Sequence, residues 1–268
     1  MDISLIITLA ICLVSFTGLW LINVFTKDAG VIDYFWGPGF AVVAAVQFAF
    51  HGTGTVFEWV LFLAVTAWAL RLAAYLIHRH HGSTVEDGRY LEMRKTGGPN
   101  FWWASLFKIF LLQGFLLWVI AVPVHVAFGA EMATMSPLFW LGIAIFIIGF
   151  AIEWIADIQL AAGKDVAPKQ NGQAIIVAHG LWGRSRHPNY VGEITLWWGL
   201  ALAAFAMSGA WIAFAGPALL TLIIVAISIP LTEQHMLRTR PTYADYQSAV
   251  PKLIPELAAP KKNPQPAE

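Results

Sequence analysis

The chain has 268 residues, of which 58% are hydrophobic and only 12% are charged, and its mean hydropathy is +0.66. A water-soluble domain carries about twice that fraction of charged residues, so the composition excludes an ordinary soluble protein. The net charge is zero, which gives no reason to expect nucleic acid as a partner, and the sole cysteine, Cys12, excludes an internal disulfide or a cysteine-based metal site. We predict no metal site.

The apolar residues are concentrated in seven blocks, each about long enough to cross a bilayer as a helix. In chain order the blocks cover residues 3–25, 31–51, 55–77, 105–128, 137–160, 189–208 and 210–232. The blocks are continuous rather than alternating, which predicts helices rather than barrel strands. The sequence therefore predicts an all-α integral membrane protein, with one seven-helix domain over residues 1–256 and a disordered tail over 257–268. The second block is the weakest, because Asp33, Gly37 and Pro38 interrupt its start.

The basic residues predict the orientation of these helices. All sixteen Lys and Arg residues lie in segments 26–30, 78–104, 161–188, the tail after residue 233, or the adjoining helix ends. Positive residues are retained on the cytoplasmic side, so the N-terminus is predicted outside and the C-terminus in the cytoplasm. Polar chemistry is therefore expected at the cytoplasmic face, and Glu58, near the other face, is expected to be solvated.

Residues 180–193 carry the most informative polar pattern. Pro188 is suited to the first turn of a helix, so the sixth helix is predicted to begin near residue 187 or 188. Its free N–H groups, together with Arg184, Arg186 and His187, predict a phosphate or carboxylate site at the membrane surface. Glu193, about one turn into the helix, is a partner for a ribose hydroxyl or an arginine. Contact of the two arginines with lipid headgroups is the alternative.

Other ionisable residues within or beside the spans add to this pattern. Arg71 lies in the third span, and Glu153 and Asp157 are four residues apart on the fifth, so they share a helical face. Beyond the seventh span, the polar segment that holds His235 and Tyr246 is predicted either to fold back over the loop that precedes the sixth helix or to serve as a juxtamembrane anchor.

The sequence Arg-Ser-Arg-His-Pro-Asn-Tyr-Val-Gly-Glu at 184–193 resembles the C-terminal signature of the membrane steroid 5α-reductase superfamily, and more closely that of its bacterial branch. The resemblance extends over residues 65–256. Its supporting segments are Ala156-Asp157-Ile158-Gln159 with Lys164, Gly88-Arg89-Tyr90, Leu112-Gln113-Gly114, and Tyr246 with Leu253-Ile254-Pro255. This likeness implies a multi-pass protein of a bacterial inner membrane with its active site facing the cytoplasm.

Members of that superfamily are seven-helix, NADPH-dependent reductases of conjugated enones, so the resemblance implies NADPH as cofactor and an apolar, lipid-like substrate that enters from the bilayer among the membrane lipids. The sequence contains no Gly-x-Gly-x-x-Gly pattern, so we do not expect a Rossmann module. The predicted cofactor-binding residues, from the motif and the resemblance together, are Arg71, Arg89, Asp157, Lys164, Arg184, Ser185, Arg186, His187, Asn189, Tyr190, Glu193, His235 and Tyr246.

The sequence departs from the steroid enzymes at the substrate carbonyl. Those enzymes hold the carbonyl with a glutamate on the second helix and a tyrosine on the third, whereas Trp68 stands at the third-helix position here and Asp33 is the nearest acid on the second helix. The predicted catalytic residues are therefore Asp33, on condition that burial keeps it protonated, then Tyr34, then Trp68. Capping of the second helix is the alternative role for Asp33. Steroid as the substrate does not follow from the resemblance.

Two other functions fit parts of the pattern. A shorter signature, Arg-His-Pro-x-Tyr-x-Gly, also occurs in isoprenylcysteine and phospholipid methyltransferases, which bind S-adenosylmethionine, so the short motif alone does not choose between the two cofactors. Asn189, Glu193 and the segment Trp197-Trp198-Gly199 favour the reductases. A non-enzymatic transporter or scaffold is the third alternative, although the crowding of polar residues at one face argues against a transporter.

Overall fold

A computed structural model describes residues 2–80, 86, 88–128, 130, 136–166, 169–170, 173–174 and 176–254. Within these ranges, seven helical stretches are long and apolar enough to cross a membrane: Ile3–Thr26, Ala29–His51, Val56–Arg79, Tyr90–Ala127, Pro137–Gly163, Pro188–Ser208 and Trp211–Thr239. The chain is a multi-pass membrane protein, and the predicted helical architecture with seven spans is confirmed. The orientation of the spans stays a prediction, and the predicted disordered tail lies outside the described residues.

The spans are built from α-helices interrupted by short 3-10 and π-helical stretches. The α-helices are α1 (Ile3–Thr26), α2 (Asp33–His51), α3 (Val56–His80), α4 (Gly88–Gly97), α5 (Phe101–Ser105), α6 (Leu112–Ile120), α7 (Val122–Ala127), α8 (Pro137–Val166), α9 (Pro188–Ser208), α10 (Ala215–Ile223), α11 (Ile229–Thr239) and α12 (Tyr243–Ala249). Two-residue strands, β1 (Lys169–Gln170) and β2 (Gln173–Ala174), pair antiparallel between α8 and α9.

Three spans are longer than hydropathy predicts, each at an end that carries charge. The third span reaches His80, α8 reaches Val166, and α11 reaches Thr239. Hydropathy marks where the chain is apolar, whereas Arg, Lys, Gln and Glu are good helix formers and prolong a helix beyond that limit. For the same reason, the predicted loop over 78–104 contains α4, and the start of α5 also lies in it, so the fourth helical stretch begins at Tyr90 rather than at residue 105.

The start of α2 is continuous despite the proline within it. A 3-10 turn over Ala29–Ile32 leads into the helix, and the Asp28 carboxylate caps that turn by accepting a hydrogen bond from the Gly30 N–H at 2.8 Å. Pro38 lies within α2 and lacks the N–H that would bond to the carbonyl four residues earlier. Packing compensates for this loss, because Gly37 brings α2 against the backbone of Ala69 on α3.

The chain divides into two compact units, Met1–Ile143 with Leu200–Leu219, and Ala144–Gly199 with Leu220–Glu268. In the first unit, α2 packs along α3, and α1 packs against α6. The centre of this unit is aromatic, with Trp68 packed edge-on against Phe40 at 5.5 Å between ring centroids. The prediction of one domain over residues 1–256 stays a prediction.

In the second unit, α8 and α9 are antiparallel and meet at glycines. A Cβ atom added to Gly149 would collide with the backbone of Leu196, and one added to Gly192 would collide with the backbone of Glu153. Small residues permit this close backbone approach, which is a common way for helices to associate in membranes.

The expectation that Glu58 is solvated is wrong. Its side chain is fully buried, and Oε2 accepts hydrogen bonds from the Thr53 N–H at 2.9 Å and the Thr55 N–H at 3.0 Å. The Glu58 N–H in turn donates to Thr55 Oγ1 at 3.4 Å. This reciprocal arrangement is a capping box, so Glu58 satisfies backbone groups at the start of α3.

Candidate functional site

The predicted helix start is confirmed, because α9 begins at Pro188. The chain approaches it through a 3-10 turn over Gly180–Gly183, in which Gly180 has a positive φ of 61°. Residues of α8 hold this turn in place. The Leu181 N–H donates to Gln159 Oε1 at 2.8 Å, and Trp182 Nε1 donates to the Ala156 carbonyl at 2.9 Å.

Arg186 lies at the centre of a buried ionic cluster. Its Nε donates to Glu233 Oε1 at 2.7 Å, and its Nη1 donates to the carbonyls of Gln247 at 2.8 Å and Val250 at 2.6 Å. His187 Nε2 contacts the same Glu233 oxygen at 3.1 Å. Arg186 and His187 were predicted to hold phosphate. Both are buried and bonded to Glu233, so they brace the fold at this point, and their contact with phosphate stays a prediction.

Residues 243–252, here called the C-terminal segment, fold back over the loop that precedes α9, which confirms that part of the prediction. The Tyr246 hydroxyl donates to the Trp182 carbonyl at 2.7 Å, and the Arg186 N–H donates to the Pro251 carbonyl at 2.9 Å. Ser185 Oγ donates to the Lys252 carbonyl at 3.4 Å. Ser185 and Tyr246 are both buried hydrogen-bonding residues of this junction, and their predicted contact with a cofactor stays a prediction.

Burial controls the protonation of the side chains at this junction. It raises the pKa of Tyr243 to about 12 and also raises the pKa of Tyr246, so both hydroxyls keep their protons at neutral pH. Burial lowers the pKa of His187, and the neighbouring Glu233 carboxylate offsets part of that effect. His187 is therefore harder to protonate in the folded protein than in the unfolded chain.

This difference predicts a pH dependence of stability. Above the ordinary histidine pKa of 6.5, His187 is neutral in both states and its contribution to stability is fully present. As the pH falls below 6.5 toward the lower folded pKa, the unfolded chain takes up the proton first, so stability is lost. We expect the Tm in detergent to fall more for the wild type than for His187→Gln between about pH 7.5 and about pH 5. An equal fall of the Tm with pH in the wild type and in His187→Gln would contradict a lowered pKa of His187 in the folded protein.

Three of the predicted site residues have side chains with no hydrogen-bonding partner among the described residues. Arg184 is exposed, Asn189 is half-buried in the first turn of α9, and His235 is half-buried on α11. The first N–H groups of a helix have no carbonyl partner inside it and carry a partial positive charge. Arg184 and the start of α9 therefore offer positive charge and hydrogen-bond donors to an anion.

Two buried carboxylates lie on the face of α8 that packs against this helix start. Glu153 and Asp157 are each only 3% exposed, and Glu153 lies directly against Gly192. Because α8 and α9 are antiparallel, Asp157, one turn further along α8, is level with the first residues of α9. Glu193 is half-buried on α9, and Tyr190 stacks on His187 with 5.6 Å between ring centroids. Lys164 lies in α8, and its side chain is outside the described residues.

The first unit holds the residues predicted to act on the substrate. Asp33 begins α2 and accepts a hydrogen bond from the Tyr90 hydroxyl at 3.3 Å. Tyr34 is half-buried, whereas Trp68 is buried in the aromatic core. Sequence reasoning missed Tyr90 as a functional candidate, although the Gly-Arg-Tyr segment at 88–90 drew attention to that helix.

The remaining predicted residues of the first unit are basic. Arg71 lies on α3 with Nε and Nη2 both buried, and Arg89 lies in α4 with its side chain outside the described residues. Within the parts of the chain that the structure describes, no three His, Cys, Asp or Glu side chains gather as they would around a metal ion.

The family model described as "Protein of unknown function (DUF1295)" matches residues 19–250. The chain belongs to this family. An uncharacterized protein of Schizosaccharomyces pombe is 27% identical over an alignment 268 positions long, which covers 89% of this chain and 76% of that relative. No solved structure matches the chain. The DUF1295 match includes all the predicted site residues from Asp33 to Tyr246, the loop before α9, and most of the C-terminal segment.

Proposed function

We propose that this DUF1295 protein is an NADPH-dependent membrane oxidoreductase that reduces the carbon–carbon double bond of an apolar enone, as the likeness to steroid 5α-reductases implies. The observation that carries the proposal is the anion site at the start of α9. Arg184 is exposed four residues before α9 and Asn189 is half-buried in its first turn, and neither side chain has a hydrogen-bonding partner among the described residues. The first N–H groups of a helix lack carbonyl partners within it, which favours an anion at this end.

The residues at this site fit a dinucleotide in charge and in hydrogen-bonding character. Arg184 and the α9 N–H groups would hold phosphate, since arginine and a helix start both favour phosphate oxygens. Glu153 and Asp157 are acceptors that suit ribose hydroxyls, and Asn189 has both a donor and an acceptor for a ribose or a carboxamide. The ion pair of Arg186 and Glu233 holds the loop that precedes α9 in place. Arg184 takes no part in that pair.

NADPH, when bound, would supply a hydride to the β-carbon of the enone, and the electron pair of the double bond would move toward the carbonyl oxygen. The protein then has to stabilise negative charge on that oxygen with a hydrogen-bond donor and to deliver a proton to the α-carbon. Among the residues predicted for this role, Asp33 accepts a hydrogen bond from the Tyr90 hydroxyl, so we add Tyr90 to Asp33, Tyr34 and Trp68 as the residue that would hold the Asp33 carboxyl in place. Trp68 has a donor but cannot act as an acid.

The proposed orientation follows from the distribution of basic residues, and the proposed bacterial membrane is what the resemblance to the bacterial branch of the superfamily implies. We propose that the N-terminus is outside, that the cofactor site faces the cytoplasm, and that the membrane is the inner membrane of a bacterium. An apolar substrate would then enter from the bilayer, while the water-soluble cofactor would arrive from the cytoplasm.

A cofactor-binding experiment tests this proposal. We expect NADPH to raise the Tm of the detergent-purified wild-type protein, and we expect Arg184→Gln to weaken NADPH binding by about 10-fold or more, because a charge-assisted hydrogen bond to phosphate is lost. Lys95→Gln is the matched control, since it removes one exposed positive charge from α4 and should leave NADPH binding unchanged.

The other outcomes distinguish the alternatives. A Tm shift with S-adenosylmethionine and none with NADPH would replace the reductase with a lipid methyltransferase. Absence of any shift with either cofactor would favour a transporter or scaffold. An NADPH shift that is equal in the wild type and in Arg184→Gln would place the cofactor elsewhere on the chain.

A further inference from the structure

A second polar cluster lies at the other end of the first unit, on the face that the sequence predicts to lack polar chemistry. It gathers the start of α1, the last turns of α2, and the region of α6 and α7. Ser4, Thr8 and Gln47 are each no more than 1% exposed. Gln47 follows Asp33 by fourteen residues on α2, which places them roughly 20 Å apart along the helix. The cluster is therefore separate from the Asp33–Tyr90 pair.

Hydrogen bonds connect the cluster in two arms that meet at Ser4. In the first arm, Ser4 Oγ donates to Gln47 Oε1 at 3.2 Å and lies 2.9 Å from His51 Nε2, which is also 2.9 Å from Asp2 Oδ2. In the second arm, Thr8 Oγ1 donates to the Ser4 carbonyl at 2.9 Å.

The second arm continues from Thr8 toward α7. Trp118 Nε1 donates to Thr8 Oγ1 at 3.1 Å, and His125 Nε2 lies 3.1 Å from the Trp118 carbonyl. The two arms thus link three of the spans of this unit, and apart from Asp2 and His51 at the surface end they do so through uncharged groups. Such buried polar networks are costly in a membrane unless their members are satisfied.

The trio of Asp2, His51 and Ser4 is not a hydrolytic triad. In a triad the histidine uses one ring nitrogen for the serine and the other for the carboxylate. Here Ser4 and Asp2 both contact Nε2 of His51, so the ring cannot accept a proton from Ser4 while donating to Asp2. The cluster therefore suits ligand binding rather than nucleophilic catalysis.

Two buried atoms of the cluster have no partner among the described residues: Nε2 of Gln47 and Nδ1 of His125. The Gln47 amide nitrogen is a donor. The Trp118 carbonyl only accepts, so the His125 proton lies on Nε2 and leaves Nδ1 as an acceptor. A buried donor and a buried acceptor without partners are each expensive, so both favour a ligand that supplies an acceptor and a donor.

The first arm begins at the surface of the protein. Side-chain exposure falls along it from 42% at Asp2 and 30% at His51 to 1% at Gln47, so the arm runs from the surface into the interior. Exposed apolar side chains flank it on α1 and α2, including Ile6 at 47% and Phe50 at 51%. An amphiphile can place its headgroup near Asp2 and His51 and its acyl chain along these apolar surfaces.

We infer that this cluster is a binding site for the hydroxyl-bearing headgroup of a membrane lipid, with Gln47 donating to a headgroup oxygen and His125 accepting from a hydroxyl. A glycerol headgroup carries two hydroxyls, each both a donor and an acceptor, so one can accept from Gln47 Nε2 while the other donates to His125 Nδ1. Water has the same hydrogen-bonding chemistry, so the test must separate a lipid from water. This site does not depend on the proposed reductase function.

The test compares two lipids that share an acyl chain. Native mass spectrometry of the detergent-purified full chain would measure retention of monoolein, which has two hydroxyls, and of methyl oleate, which has none. We expect the wild type to retain monoolein and not methyl oleate. Gln47→Leu should weaken monoolein retention by about 10-fold, whereas the same change at Gln113→Leu, on α6, should not affect it.

A second variant keeps the test decisive if Gln47→Leu fails to fold. His125→Phe removes the acceptor and keeps a ring of similar size, and it should also weaken monoolein retention. Equal retention of both lipids would show that the acyl chain of the lipid binds without help from its hydroxyls. Retention of neither lipid would assign the cluster to water only, and undiminished monoolein retention by Gln47→Leu and His125→Phe would place the lipid elsewhere. Each of these three results would overturn the inference.

Discussion

Replacement of Glu233 by leucine is expected to destabilise the protein by about 3–5 kcal/mol, because it leaves the Arg186 guanidinium buried without its counter-charge. The pair is well shielded, with side-chain exposures of 8% for Arg186 and 9% for Glu233. Glu233 also accepts a hydrogen bond from Gln247 Nε2 at 3.0 Å. Loss of the carboxylate therefore removes the partner of three side chains at once, and thermal or denaturant unfolding in detergent measures the effect.

A double-mutant cycle separates the cost of an unpaired charge from the value of the pair. Arg186→Met alone should also be strongly destabilising, because Glu233 loses its main partner and the carbonyls of Gln247 and Val250 lose their donor. Arg186→Met with Glu233→Leu should cost clearly less than the two single changes added together, since no buried charge is left. Strict additivity would show that the two side chains do not interact.

The same cluster shows why part of the site could not be predicted from the sequence. Within Arg184-Ser185-Arg186-His187, the two arginines look equivalent, and both were predicted to hold phosphate. Glu233 lies 47 residues from Arg186 in the chain, and no local pattern indicates that pairing. The structure shows that the two arginines have different surroundings. Arg186 is buried against Glu233 and the C-terminal segment, whereas Arg184 is exposed.

The spans and the start of α9 could be predicted because they depend on the properties of residues close together in the sequence. The cost of exposing backbone groups to lipid makes long apolar blocks helical, so the seven spans were found from hydropathy alone. The start of α9 followed from Pro188, which tolerates only the first turn of a helix. The ends of α3, α8 and α11 were placed too early, because helical propensity carries them past the apolar region.

The buried polar cluster around Gln47 was missed for a different reason. In the sequence of a membrane protein, charged residues within the spans are the clearest indication of a site, whereas Ser4, Thr8 and Gln47 carry no charge. A signal was present, because Ser4, Thr8 and Cys12 recur every four residues and so share one face of α1. A stripe of small polar residues in an apolar helix is a cue for a buried interface even where the loops lack basic residues.

Gly192→Ala is expected to destabilise the protein by about 1–3 kcal/mol, although alanine is the better helix former. The added Cβ would meet the backbone nitrogen and Cα of Glu153 on α8, and backbone atoms cannot move aside as a side chain does. The matched control is Gly18→Ala on α1, where a Cβ would have nothing within 4 Å. That control should stabilise the protein by up to about 1 kcal/mol, through helix propensity alone.

The Gly192 variant also tests whether the spacing of α8 and α9 positions the proposed cofactor site. A Cβ at residue 192 must push the two helices apart beside Glu153, one turn from the level of Asp157 and the start of α9. We therefore expect Gly192→Ala to weaken NADPH binding at temperatures where the variant is still folded, whereas Gly18→Ala should bind NADPH as the wild type does. Loss of stability with unchanged NADPH binding would mean that α8 supports the fold without contributing its carboxylates to the cofactor.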